Sequence, residues 1–369
     1  MNWVMRWFTC FPYAVLALAF LAFVLTGRMR WRARAAWTAV LIVCCAKYVV
    51  FRHLGGNAYH PELPEPLIWI WNWAYYGAAI LALAAVPLCR WRAKARNWLL
   101  PLAAWTLSAV GVWNGVKPPQ VTERELTYPN LPSELDGYRI AQVADIHCSS
   151  MMRRWRTQAV VDLVNAQRAD LICLLGDSED GDPALRFPDL QPLRDLRAKD
   201  GVWAVTGNHE YFYEPERWLP EYGRRLGVRF LENECVHPRK SLALGGVNDD
   251  EIRLPQRKVS RKVLPDVGAA FAAATNGEFR VLLRHRPGDA AATLARHGID
   301  LQLSGHTHGG FMPVVSWLVA GVNHGFIRGV HDFGGRKLCL SNGVGQTAAI
   351  PLRFFTPAEV VVVTLRRGR

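Results

Sequence analysis

The 369-residue chain carries 44 Lys and Arg against 31 Asp and Glu, a formal net charge of +13. Residues 1–116 hold eleven of the basic residues and only Glu62 and Glu65 as acids, a net +9, whereas the remainder, with 33 basic against 29 acidic residues, nets +4. Charge that clusters between apolar stretches without forming a basic stripe argues against a nucleic-acid partner and for a membrane-associated one.

A bilayer-spanning helix needs roughly 20 apolar residues. Four stretches approach that length, at about Trp7 to Thr26, Ala35 to Phe51, Leu67 to Leu88 and Trp98 to Val116. The second is short and contains Lys47, whose long side chain is expected to snorkel to the interface. A cleaved leader would account for the first stretch but for none of the others. Fifteen Trp, many near the ends of the apolar runs, suit an interfacial belt. Arg28, Arg30, Arg32 and Arg34 follow the first stretch, and Arg90, Arg92, Lys94 and Arg96 follow the third, while the middle loop has two Glu and no Lys or Arg. Positive loops stay on the cytoplasmic side, so the N-terminus and everything after Val116 are expected outside.

After Val116 the texture changes. Lys117-Pro118-Pro119 and Tyr128-Pro129-Asn130-Leu131-Pro132 read as an extended linker leading into an opening strand, over residues 117–135. From residue 136 to 369 short apolar runs alternate with helical patterns. Strands are expected at Tyr138 to Ala144, Leu171 to Leu175, Val202 to Thr206, Leu242 to Val247, Phe279 to Leu283, Leu301 to Leu303, Lys337 to Leu340 and Glu359 to Leu365. Helices are expected at Trp155 to Gln167, Pro188 to Arg197, Glu214 to Leu226 and Pro287 to His297. This is an α/β pattern in one domain. The cysteines show no paired spacing and predict no disulfide framework.

The chemically informative residues fall just past the strand ends, where open α/β sheets place their sites. They are Asp145 and His147 in Val-Ala-Asp-Ile-His, Asp177 in Leu-Leu-Gly-Asp, Asn208 in Gly-Asn-His-Glu, His285 in Leu-Leu-Arg-His, and His306 and His308 in Gly-His-Thr-His-Gly-Gly. An Asp-x-His or a Gly-Asp is common by chance, and a lone His is more often structural. Paired histidines flanked by Gly at a strand end have no use in packing, and the order of the set multiplies its weight. Two divalent ions roughly 3.5–4 Å apart need a bridging carboxylate, N and O ligands on each side, and open positions for water and phosphate oxygens. Asp177 is the natural bridge. Mixed N and O ligands suit Mn, Fe or Zn better than Ca. Cys148, next to His147, is either a further ligand or a buried small hydrophobe.

These motifs resemble the calcineurin-like metallophosphoesterase superfamily, in particular its bacterial membrane-associated branch, the YkuE/YaeI-like proteins. The resemblance covers about residues 136–367, including Ser341-Asn342-Gly343-Val344-Gly345 and Pro351-Leu352-Arg353-Phe354-Phe355. It implies an αββα sandwich, two β-sheets packed face to face with helices outside, preceded here by a four-helix transmembrane region. By motif position it implies that Asp145, His147 and His308 hold one metal and Asn208, His285 and His306 the other, with Asp177 bridging. It makes His209 the catalytic residue that contacts phosphate and serves the leaving group, and Asp180 and Glu210 the partners that orient imidazoles. Glu210 stands where Asp is frequent, and Phe311 where Gln is frequent.

The expected activity is hydrolysis of a phosphate ester by attack of a metal-activated hydroxide, on an envelope or lipid-linked substrate, at a bacterial inner membrane with the catalytic domain periplasmic. Met151-Met152-Arg153-Arg154-Trp155-Arg156 mixes apolar and cationic groups, so Arg153 and Arg154, with Phe311, are candidate substrate contacts and the segment a candidate lipid surface. Arg328, His331 and Lys337 are further candidates for phosphate. Two alternatives remain: a UDP-2,3-diacylglucosamine hydrolase of lipid A synthesis, which requires a cytosolic domain, and a non-catalytic metal-stabilised membrane scaffold, which would be expected to have lost ligands.

Overall fold

The computed structural model describes residues 12–89, 95–213, 215–255, 257, 259, 262–346 and 350–368. The chain divides into two compact units, residues 1–116 with 347–353, and residues 117–346 with 354–369.

In the first unit, α1 (Pro12–Leu25), α2 (Trp31–Cys45), α3 (Lys47–Leu54), α4 (Glu65–Ala85) and α5 (Arg96–Val116) follow one another. Helices α4 and α5 are each long and apolar enough to cross a membrane, and α2 with α3 qualify together as one span bent by 44°. The described residues therefore hold two candidate spans, or three with the bent pair, and not four. Part of the expected first span, residues 7–11, lies outside the described residues, and the portion described is short of a crossing. Lys47 does not snorkel: it is buried beside the bend, where its Nζ donates to Asn72 Oδ1 at 3.0 Å and lies 4.3–4.7 Å from the ring centres of Tyr48, Tyr76 and Tyr75. A buried acceptor and three aromatic faces replace the water that the ammonium would otherwise seek. Arg96 is also turned inward, donating to Phe23 O and Thr26 Oγ1 at 2.9 Å each at the end of α1, where Phe23 O also accepts from Gly27 N.

The second unit contains two six-stranded sheets. The first runs in the order β1 (Gln120–Tyr128), β12 (Glu359–Arg367), β2 (Arg139–Val143), β3 (Leu171–Leu174), β4 (Val202–Ala204), β5 (Arg229–Phe230). It is parallel except where β12 meets β2. The second runs β10 (Gly329–Phe333), β11 (Arg336–Leu340), β9 (Leu301–Ser304), β8 (Phe279–Leu283), β7 (Leu242–Gly246), β6 (Glu234–Arg239), with antiparallel pairs at its two edges.

Period-2 alternation divides each strand's side chains between two cores. Ile140, Leu171, Cys173 and Val363 of the first sheet meet Leu244, Val281, Leu283 and Leu303 of the second in one continuous cluster, so the sheets pack face to face. Ala141, Val143, Ile172 and Leu174 point the other way, onto α6 (Arg154–Ala166), α7 (Pro183–Leu190) and α8 (Pro215–Leu226). Ala243 and Leu282 face α9 (Val267–Ala270) and α10 (Ala290–His297). This is the expected αββα sandwich. Gln142, the polar exception on the inner face of β2, donates to Ser304 O at 2.7 Å and so joins the two sheets next to the end of β9.

Strand β1 begins earlier and runs longer than the linker reading implied: its nine residues pair in parallel with β12 from Gln120–Glu359 to Tyr128–Arg367. The helix expected over Pro188 to Arg197 is instead α7, which ends at Leu190, followed by a 3-10 turn over Gln191–Asp195. Pro192, just past the end of α7, lacks the N–H that a continuing helix would require there, whereas Pro188 is accommodated inside α7.

Candidate metal centre

Every expected ligand lies beyond the C-terminal end of a strand. Asp145 and His147 follow β2, Asp177 follows β3, Asn208 follows β4, His285 follows β8, and His306 and His308 follow β9. The chain turns sharply at these ends. Among the described residues ten non-glycine positions have positive φ, and five of them are Asp145 (55°), His147 (50°), Asp177 (53°), His306 (73°) and His308 (48°). Left-handed backbone costs an L-residue of order 1 kcal/mol or more, and such strain concentrates where function requires a particular side-chain direction. Gly207 is packed so tightly that an added Cβ would lie 2.2 Å from Asp177 Oδ1, and one on Gly343 (φ +73°) would lie 2.7 Å from the Asp145 Cβ. Both positions require glycine for the carboxylates to sit where they do.

The side chains converge in two sets. Asp145, His147 and His308 bring one donor atom each within 4.8 Å of one another, as do Asp177, His285 and His306. His147 Nε2 lies 3.2 Å from His308 Nε2, and His306 Nδ1 lies 3.2 Å from His285 Nε2. Two nitrogens bound at about 2.1 Å to one cation, at an angle near 100°, are separated by roughly that distance. Asp177 Oδ2 stands between the sets, 3.8 Å from His147 Nε2 and 3.3 Å from His285 Nε2. Asn208 Oδ1 is buried without a hydrogen-bond partner among the described residues, an acceptor lone pair that a cation would satisfy. These residues fit two divalent cations.

The electrostatics point the same way. Burial works against the Asp177 carboxylate, but the imidazoles of His285 and His209 outweigh it and hold its pKa well below the usual range. Burial pushes Asp145 up to about 6 against the pull of His285 and His147. Burial would lower both His285 and His209, yet Asp177 and Asp145 raise His285 to about 10, and Asp177 and Asp180 raise His209 to about 9. Carboxylates that raise His285 and His209 against burial give that side of the pocket the negative potential that cations seek, whereas burial, His285 and Arg286 hold His306 well below its usual value.

Asp180 Oδ1 contacts Nδ1 of both His147, at 2.8 Å, and His209, at 2.6 Å. Glu210 differs from expectation. Among the described residues it bonds no imidazole; its carboxylate accepts from the backbone N–H groups of Gly207 (2.6 Å), Ser178 (2.7 Å) and Asp177 (3.0 Å), pinning the β3 and β4 loops together. The Phe311 ring stacks on His308, with centroids 5.0 Å apart and planes inclined by 26°.

The other candidates are placed elsewhere. Arg153 Nη1 lies 3.6 Å from Asp189, and Arg154 bonds Pro188 O and Gln191. Met151 and Met152 are buried, so the apolar part of the segment left exposed is Trp155, with the Arg156 guanidinium 4.4 Å from its ring centre. Cys148 is buried with its Sγ on Thr157 Oγ1 and belongs to the outer core of the first sheet. Lys337 pairs with Asp332 and sits opposite Leu301, at the end of β9 away from the site, while His331 contacts Arg328 O.

Sequence reasoning missed Arg286. Its Nε donates to buried Asp249 at 3.0 Å and its Nη2 to Glu251 at 3.1 Å. It also acts electrostatically on Asp177 and His306. The adjacency to His285 was legible; the carboxylates that fix its guanidinium lie some 35 residues away and were not.

Residues 138–310 match the family model described as calcineurin-like phosphoesterase. An uncharacterized metallophosphoesterase of Helicobacter pylori is 30% identical over 69% of this chain and 66% of its own length. A transmembrane protein with metallophosphoesterase domain from Danio rerio is 27% identical over 71% of this chain and 61% of its own. The uncharacterized metallophosphoesterase YkuE of Bacillus subtilis is 26% identical over 67% of this chain and 85% of its own. The chain thus spans just under two thirds of the length of the first two relatives. With that match covering the strand-end ligands from Asp145 to His308, residues 138–310 form a calcineurin-like phosphoesterase domain.

Proposed function

We propose that this chain is a membrane-anchored, two-metal phosphoesterase acting on a lipid-linked or other envelope phosphate ester. The observation that carries the reading is the pair of donor sets joined through Asp177, with His209 beside the junction. Asp145, His147 and His308 would hold one cation, Asn208, His285 and His306 the other, and Asp177 both. When bound, such cations polarise a phosphoryl oxygen and bring the pKa of water toward neutrality.

The chain's own residues supply the rest. Asp180 holds His209 through Nδ1 and leaves Nε2, 3.9 Å from Asp177 Oδ2, as the atom that gives a proton to the leaving oxygen. Arg286, fixed on two edges by Asp249 and Glu251, presents its remaining N–H groups to a phosphate oxygen. Glu210 and the close-packed glycines keep the ligand loops in register.

Orientation follows from the sequence segment before α5, which carries Arg90, Arg92 and Lys94. If that segment is cytoplasmic, the far end of α5 at Val116 is outside, whatever the number of spans before it. An extracytoplasmic domain, periplasmic at a bacterial inner membrane, then meets lipid-linked substrates and not the cytosolic nucleotide-lipid of lipid A synthesis.

The test is hydrolysis of an activated aryl phosphodiester and monoester by the purified full chain, stripped by chelator and reloaded with Mn²⁺, Fe²⁺ or Zn²⁺. Activity lost on stripping and restored by at least one ion is expected. Bound metal with no turnover on either ester would favour the scaffold reading.

A further inference from the structure

The second unit exposes eight large hydrophobic side chains among its described residues, and the three most exposed lie on two segments that meet at Phe311. These are Phe355 (84%), Val322 (80%) and Trp317 (67%), with Leu318 at 51%. The last three belong to α11 (Pro313–Val322), which starts three residues after Gly310 of the metal loop. Its sequence, Pro-Val-Val-Ser-Trp-Leu-Val-Ala-Gly-Val, contains no charged residue. Its one hydroxyl, Ser316 Oγ, donates inward to Met312 O at 2.8 Å. No α11 side chain that is described is buried, so the helix contributes nothing to either core.

Phe355 is anomalous on two counts. Its ring is in solvent, and its φ of 59° places a bulky residue in the left-handed region. Phe354 N and Thr356 Oγ1 both donate to Phe311 O, at 3.0 and 3.1 Å, so Phe355 projects from the segment that abuts the start of α11. Backbone strain combined with an exposed apolar ring is retained where the ring has a partner.

We propose that α11 and Phe355 form a surface that dips into the bilayer beside the metal centre, from which the phosphate ester is taken at the lipid–water interface. The bilayer is the occupant favoured because this chain carries its own candidate spans, α4 and α5, which keep a membrane within reach. Ten helical residues extend about 15 Å, enough to lie in the interface and too short to cross it. A Trp with Leu and Val on an uncharged helix is the composition of an interfacial segment, and no charge has to be dehydrated. Arg328, exposed beyond the helix with Nη1 3.5 Å from Gly309 O, places a cation at the rim, where anionic headgroups would lie. The seat of the helix bears on the site: Met312 N donates to Gly310 O at 2.6 Å, and the ring of Phe311, between them, stacks on His308. The inference rests on the hydrolase reading only for the meaning of the contact, not for its existence.

The test places p-benzoylphenylalanine at Leu318 or Val322 of the full chain in vesicles of phosphatidylethanolamine and phosphatidylglycerol, with exposed Arg224 on α8 as the control position. Irradiation should add a phospholipid mass at 318 or 322 and none at 224. Adducts to the same chain or to a second copy, or no adduct, would overturn the proposal. In parallel, Trp317→Ser/Leu318→Ser/Val322→Ser and Phe355→Ser should each slow a vesicle-borne long-chain phosphodiester by about tenfold or more, while a water-soluble aryl ester changes less than about twofold. Equal loss on both esters would make the helix a support of the metal loop, and no loss on either would leave it without a membrane role. Crosslinking needs no turnover, so lipid adducts on an inactive protein would sink the hydrolase reading alone.

Discussion

His209 and Asp177 lie side by side at neighbouring strand ends, yet their removal should fail differently. His209→Ala should keep its metals and lose on the order of 10² to 10⁴ in rate, with a smaller loss for an activated aryl leaving group than for an alkyl one. An equal loss on both would make the imidazole a holder of phosphate and not an acid. Arg286→Met should raise KM roughly 10- to 100-fold, the worth of a charge-assisted hydrogen bond, and weaken inhibition by inorganic phosphate in parallel. Arg286→Lys should recover only part, because a point charge cannot hold Asp249, Glu251 and phosphate at once. A lower melting temperature with an unchanged KM would confine Arg286 to bridging those carboxylates. His285 leads to a pH prediction. Its pKa of about 10 in the metal-free chain means that it is protonated near neutrality and must lose that proton to ligate. Metal affinity should therefore rise about tenfold per pH unit between roughly pH 7 and 9, with one proton released, measurable by calorimetric titration in buffers of different ionisation enthalpy. Affinity independent of pH would mean that His285 is not held protonated by Asp177 and Asp145 in the metal-free chain. At this scale the ligands were legible because their residue types recur at apolar run ends. The left-handed backbone at Asp145, His147, Asp177, His306 and His308 was not, since Asp and His carry no such preference strong enough to read locally.

The 3-10 turn over His209–Tyr211 is the element that locks two strand ends to each other. Glu210→Ala would leave three buried N–H groups without their shared acceptor, at a cost on the order of 3 kcal/mol, and should lower both melting temperature and metal content. Loss of turnover alone, with melting and metals intact, would contradict a structural role for Glu210. Its expected partner was an imidazole, because sequence order shows that Glu210 follows the catalytic position but not that the β3 loop, some 32 residues earlier, presents its backbone there. The apolar strands β2, β3, β4, β7, β8, β9, β11 and β12 were legible from period and composition, whereas β5, with two residues, is too short and the edge strands β6 and β10 are too polar to stand out. An opening strand was expected within residues 117–135, but the length of β1 and its place at the sheet edge were not legible, because the Thr122-Glu123-Arg124-Glu125 run breaks the apolar alternation; that run is the polar face an edge needs.

For the whole molecule, the charge asymmetry that marked the N-terminal third did not translate into a count of spans. Lys47 and Arg96 proved to be interior partners of Asn72 and of the end of α1, not interfacial charges. Orientation depends less on that count than on the basic segment before α5. A C-terminal alkaline phosphatase fusion should be active and a fluorescent protein that matures only in the cytosol should stay dark. The reverse pair would place the domain in the cytosol and make a nucleotide-lipid the better substrate. The central claim is that Asp177 joins two metals into one hydrolytic centre. It is tested most directly by elemental analysis of the full chain and of Asp177→Asn, alongside phosphodiester turnover. Two metals per wild-type chain, with metal falling toward zero and turnover lost in the variant, is the predicted result; two metals retained with normal turnover in Asp177→Asn would contradict it.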